Sequence, residues 1–138
     1  MAAWTCPECG RRFLRRGQAH ECAPAMALDE YLATAPPHEP PVVAAVLAHL
    51  DALGPVHIEP VSVGILVKRA QSFAELRPMT RWEALMFKLP RRIESRRIAR
   101  KPTAVGAHYW HTVNLRTPDE FDDPVRDWLT EAYLDAPD

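Results

Sequence analysis

Three cysteines and one histidine crowd into the first 22 residues, and no other feature of the chain restricts its folding so strongly. Cys6 and Cys9 form a Cys-Pro-x-Cys-Gly turn, and His20 and Cys22 follow ten residues later. A segment this short cannot bury enough apolar surface to fold alone. Three cysteines cannot pair among themselves, so disulfides do not solve the problem. Three thiolates and an imidazole do form a suitable tetrahedral set for a borderline-soft cation. The sequence therefore predicts a structural Zn2+ held by Cys6, Cys9, His20 and Cys22. Glu21 and His38 stand as alternative fourth ligands. Pro7 fixes the first torsion of the turn and Gly10 permits a positive one after the second ligand. Trp4 and Phe13 are the apolar backing.

Four protein ligands would leave no coordination position for a reacting water, which argues for folding over catalysis. The spacing of the second pair also matters. In a helical finger those ligands lie three to five residues apart, on one helix face. His20 and Cys22 are two apart, a spacing that suits an extended knuckle.

The remaining composition, 47 % hydrophobic and 25 % charged, is that of a soluble globular chain. No apolar run reaches the roughly 18 residues of a membrane span. The start, MAAWTCPECG, has no signal-peptide core. These features predict a cytoplasmic protein with reduced thiols and no membrane partner. The net charge of −1 conceals a dipolar chain. Residues 68–101 hold eleven bases and three acids, whereas residues 102–138 hold two bases and eight acids.

Hydrophobic periodicity predicts an α+β fold: an antiparallel sheet of about four strands packed by helices, after the knuckle. The division expected is a zinc knuckle at 1–23, a linker with a short helix at 24–41 and an α+β domain at 42–138. "ALDEYLATA" reads as the short helix. "PVVAAVLAHLDALG" is the clearest helix, with Val42, Val46, Leu50 and Leu53 in a stripe beside Val43 and Leu47. Pro41 fits its first position and Gly54 its stop. The period then changes to two. "VSVGILVKR" alternates as one strand, followed by "SFAELRPM", "WEALMFKLP" after a turn at Thr80-Arg81, and "AHYWHTVNLR". Residues 91–101 read as a basic loop. Pro124 would break a helix begun at Thr117, so a turn is expected at 117–121. A helix capped by Asp122 or Asp123 should then bury Val125, Trp128, Leu129 and Ala132.

No catalytic set emerges. There is no serine elbow and no glycine-rich phosphate loop. His108 and His111 are three apart on a strand, so they point to opposite faces and cannot share a metal. His49 reads as a boundary residue. Candidate anion or nucleic-acid contacts are Arg11, Arg12, Arg15 and Arg16 on the knuckle, Lys68 and Arg69 on or between the proposed strands, and Arg91, Arg92, Arg96, Arg97, Arg100 and Lys101 in the loop. Pairing of these bases with the acidic terminal helix is the competing expectation.

The run "VSVGILVKRAQSFAELRPMTRWEALMFKLP", then "RIAR", a His-bearing strand and "FDDPVRDWLTEAY" resembles a bacterial family known as domain of unknown function 5655. The resemblance spans about residues 38–135, with the knuckle as an N-terminal addition. It implies an α+β domain with an antiparallel sheet. Relatives occur alone or appended to larger proteins, some nuclease- or restriction-like. The resemblance assigns no catalytic residue.

Two functions compete at this level, with a purely structural interaction domain, including a homodimer through a free sheet edge, as a third. One is a non-enzymatic zinc-knuckle module binding nucleic acid or an acidic protein partner, its oligomeric state open. The other is a small-molecule-binding or enzymatic domain with the knuckle as a staple. The latter predicts a cleft with converging groups such as Tyr109, His111 or Arg81.

Overall fold

The computed structural model describes residues 3–138. Two two-residue strands, β1 (Trp4–Thr5) and β2 (Arg12–Phe13), pair antiparallel with Trp4 opposite Phe13 and form the knuckle. Helices α1 (Leu28–Ala33) and α2 (Glu39–Leu53) follow. Six strands then build one sheet: β3 (His57–Val61), β4 (Gly64–Lys68), β5 (Ser72–Pro78), β6 (Glu83–Leu89), β7 (Thr103–Val105) and β8 (His108–Leu115). A 3-10 turn at Pro118–Glu120 leads into α3 (Asp123–Asp135). Among the described residues no helix is long and apolar enough to cross a membrane.

All pairings in the sheet are antiparallel, in the order β3-β4-β5-β6-β8-β7. The fold class is α+β as expected, but the sheet has six strands where about four were predicted. Two signals were hidden. The stretch read as one strand over 61–69 is the β3–β4 hairpin, turning at Ser62-Val63 with Val61 opposite Gly64. Val63 fell on an apparent inward stripe, yet it occupies the turn and is 60 % exposed. β3 itself carries His57, Glu59 and Pro60, which are poor strand formers in isolation. β7 is a three-residue, fully exposed edge after the basic loop, too short to show a period. That loop is also partly ordered by the sheet. The Ala99 N–H donates to the Thr112 carbonyl at 2.8 Å, and Ile98 bridges Val113.

Ile65, Val67, Leu76, Leu85, Phe87, Leu89, Val113 and Leu115 present one apolar face. Val42, Val43, Val46 and Leu50 of α2, and Val125, Leu129 and Ala132 of α3, join them in a single core. Pro124 falls in the first turn of its helix as expected, whereas α2 begins at Glu39, which makes Pro41 its third residue rather than its first. Pro40 and Pro41 lie in the first turn of α2 and Pro124 in that of α3, where a missing N–H costs nothing. Gly54 ends α2 at φ 149° with the Tyr133 hydroxyl packed against it. A side chain there would meet both backbone strain and the tyrosine. The segment before α2 is not a loose tether. The Met26 N–H donates to Pro60 at 2.8 Å, and Tyr31 is buried in the core.

Candidate metal centre

The first turn of the knuckle is set by its backbone. The Cys6 N–H donates to Arg11 at 2.9 Å and the Gly10 N–H to Cys6 at 2.8 Å, with Gly10 at φ 75° and Gly17 at φ 71°. This loop brings the side chains of Cys6, Cys9, His20 and Cys22 together, with all four ligand atoms within 4.8 Å of one another. Cys6 Sγ lies 3.7 Å from Cys22 Sγ, and Cys9 Sγ lies 3.4 Å from His20 Nε2. An ion held tetrahedrally at ordinary thiolate and imidazole distances needs edges of about 3.8 Å between sulfurs and about 3.5 Å from sulfur to nitrogen. The cluster fits that requirement, so these four residues can hold a metal ion.

Their surroundings complete the case. His20 Nδ1 sits 2.6 Å from the Gln18 carbonyl, which fixes the ring with Nε2 toward the thiolates. The imidazole stacks on Phe13 at 4.0 Å, and Trp4 packs on Phe13 from the other strand. Backbone N–H groups, that of Cys9 foremost, lower the Cys6 thiol to about 6 against the opposing effect of burial. Its hydrogen-bonded neighbour Cys22 is pushed up to about 12, chiefly by the contact with Cys6. The alternative ligands lie elsewhere. Glu21 gives its backbone carbonyl to Arg11 at 3.2 Å, and His38 precedes α2 as its cap residue.

The knuckle docks on β3 and β4 through one carboxylate that sequence reasoning passed over. Glu59 is fully buried. It accepts the Arg12 backbone N–H at 2.7 Å and Arg11 Nε at 3.0 Å, and it pairs with Lys68 Nζ at 2.9 Å and His57 Nε2 at 2.8 Å. Lys68 in turn donates to the Arg12 carbonyl at 2.7 Å and lies 4.4 Å from the centre of the Phe13 ring. Burial alone would raise the Glu59 carboxyl, but the Arg12 N–H and the Lys68 and Arg11 cations hold it below its usual range. Burial pulls Lys68 down from its usual value, even with Glu59 beside it. The signal was present in the sequence: Glu59 is the only acid between Asp51 and Glu75.

The twelve candidate anion contacts divide into two groups. Arg11 and Lys68 pair with Glu59, and Arg69 with Asp138 and the carbonyls of Tyr133 and Ala136. Arg91 makes a two-point contact with Glu131 at 2.7 and 2.8 Å, and Arg97 meets Asp122 at 2.7 Å. Arg12 is half-buried at the docking seam. Arg15, Arg16, Arg92, Arg96, Arg100 and Lys101 are exposed and form no ion pair among the described residues. The knuckle docks on β3 and β4 and the basic loop on β8, three strand spacings or about 14 Å away.

The other sequence candidates are structural. His111 is buried, and its Nε2 accepts the Ile93 N–H at 2.9 Å, anchoring the start of the basic loop. Burial lowers its pKa, consistent with a neutral acceptor ring. His108 pairs with Asp135 at 3.0 Å. His49 contacts Thr130 at 2.8 Å at the α2–α3 boundary. Tyr109, His111 and Arg81, which one reading placed in a cleft, line none of the five best-formed cavities.

What the fold and site define is an α+β domain, its sheet covered on one face by helices, carrying a docked knuckle whose Cys3His cluster could hold a metal ion. A family model described as "Domain of unknown function (DUF5655)" matches residues 28–136, and the chain belongs to that family. The match begins with α1 and leaves the whole knuckle outside it. No curated protein and no solved structure matches the chain.

Proposed function

We propose that the chain is a non-enzymatic, zinc-stapled binding module for nucleic acid, working in the reducing cytoplasm. The three-thiolate, one-imidazole set favours Zn2+, which needs no redox partner and accepts a closed tetrahedral shell. The metal would supply folding energy, on the order of 10 kcal/mol for such modules. The observation that carries the binding role is the set of six exposed cations without acidic partners, Arg15, Arg16, Arg92, Arg96, Arg100 and Lys101. Nothing about them suits base reading, so the contact is with phosphates and tolerates any sequence. Titration with a labelled oligonucleotide at several salt concentrations tests this reading. Six phosphate contacts correspond to a log–log salt slope of about −5 on duplex DNA. Binding indifferent to salt, or none at low salt, contradicts it. Binding to an acidic protein but not to nucleic acid would transfer the same surface to the other partner class.

A further inference from the structure

A second polar cluster lies far from the knuckle, at the N-terminus of α2. Glu39 and Glu83 are both completely buried. Glu39 opens α2, and Glu83 opens β6 in the same inward row as Leu85, Phe87 and Leu89. The Tyr31 hydroxyl donates to Glu39 Oε2 at 2.9 Å. Glu39 Oε1 and both carboxyl oxygens of Glu83 have no hydrogen-bond donor, and neither group meets a Lys or Arg among the described residues. Three donor-less oxygens inside a core are costly, and such groups need an explanation.

The two carboxyls contact each other, and burial raises Glu83 to about 10, with Glu39 adding to the effect. A carboxyl held protonated beside a second buried carboxyl is the arrangement expected where close carboxyls in an apolar site share one proton. That proton satisfies two of the three oxygens and leaves one. Glu39 also lines a cavity of about 260 Å³ bounded by Met26, Tyr31, Pro36, Ser62 and Pro78. A fully buried carboxylate therefore stands in the wall of a cavity with both apolar and hydroxyl-bearing neighbours, and its partner Glu83 lies outside that lining.

We propose that Tyr31 and Glu39, with Glu83 as the buried partner of Glu39, form the binding site of a small organic cation, a primary ammonium on a short apolar body. An ammonium can donate to the Glu39 carboxylate and the Tyr31 hydroxyl oxygen from the cavity side, while Met26, Pro36 and Pro78 receive the alkyl part. A divalent metal fits less well, because two carboxyls and a phenol give fewer hard ligands than such ions take. The Cys3His group is the only one of three or more metal-ligating residues among the described residues. Binding exchanges one cation for another. The ammonium enters, the shared proton leaves to solvent, and the site keeps its net charge of one negative. The titratable groups at this end are Tyr31 of α1, His38 just before α2, Glu39 of α2 and Glu83 of β6. The inference is independent of the metal and of nucleic-acid binding.

The test is titration of the intact chain with n-butylammonium, with n-butanol as the uncharged isostere and calcium as the competing cation, followed by amide NMR. The expected result is saturable shifts at Tyr31, Glu39 and Glu83 with butylammonium alone. Calorimetry in two buffers of different ionisation enthalpy should report release of up to one proton per ligand. Glu83→Gln, which mimics the protonated acid and should fold, weakens binding about tenfold or more and abolishes the release. Equal response to butanol, preference for calcium, or absence of saturable shifts in the wild-type chain overturns the proposal. None of these outcomes depends on a variant folding.

Discussion

The Glu59 carboxylate accepts the backbone N–H of Arg12 at 2.7 Å, and that contact ties the Cys3His knuckle to a strand 47 positions away. Around it, Arg11 and Lys68 complete a buried charge cluster at the seam between knuckle and sheet. Replacing the whole cluster with apolar groups would change stability little, whereas removing one partner leaves an uncompensated buried charge. Glu59→Ala should therefore cost about 3–5 kcal/mol of docking free energy, because Lys68 stays buried without a counter-ion. Hydrogen exchange should show residues 4–22 losing protection while β5 to β8 keep theirs. Uniform loss across the sheet would contradict a docking role.

The same carboxylate gives the seam an acid limit. Its folded pKa is held below the ordinary value of 4.5, so its contribution is complete above 4.5 and is lost as pH falls through the lower folded value. Knuckle protection should thus decline on acidification before the six-stranded core unfolds. Glu59→Gln should remove that step. Protonation of the metal ligands adds to it, so the comparison is made between the two chains at equal metal loading.

Glu83 predicts the opposite dependence. Its folded pKa is raised to about 10, so the folded state binds the proton more tightly than the unfolded chain. The associated stability is present below the ordinary carboxylate value and declines as pH rises toward 10. At pH 7 the penalty has an upper bound of about 3 kcal/mol. Glu83→Gln should raise the midpoint of urea unfolding at pH 7 and flatten the decline between about pH 5 and pH 9. A variant less stable than wild type at pH 7 would contradict a shared proton.

The acidic helix competes for the basic loop. Glu131 occupies Arg91 and Asp122 occupies Arg97, both at the surface, where such pairs contribute little stability. Glu131→Gln combined with Asp122→Asn should leave the fold intact and tighten oligonucleotide binding. Each freed arginine that reaches a phosphate should steepen the salt slope by about one. Unchanged affinity and slope would place the contact elsewhere.

Much of this organisation was legible in the residues. The ligand set declared itself through spacing, and the structure gathers Cys6, Cys9, His20 and Cys22 while leaving Glu21 and His38 out. The α2 stripe and the placement of Pro124 followed from helix period and proline sterics. The β3–β4 hairpin did not, because its tip at Ser62-Val63 has neither Gly nor Asn and Val63 mimics an inward position. The buried acids Glu39, Glu59 and Glu83 were passed over for a common reason. Charge is ordinarily read as exposure, and only tertiary contacts decide when a partner or a shared proton permits burial. Glu83 left a trace nonetheless, standing two residues before Leu85 on the row that continues through Phe87 and Leu89. How the arginines divide between paired and free could not be read from sequence, since Arg91 and Glu131 are 40 positions apart.

The central claim is that a metal-binding Cys3His centre staples the knuckle to the domain. X-ray absorption on the purified intact chain, with its metal content measured, tests it most directly. The account predicts one zinc per chain, surrounded by three sulfurs at about 2.3 Å and one nitrogen at about 2.0–2.1 Å. A metal-free but folded knuckle, or a shell dominated by oxygen, would contradict it.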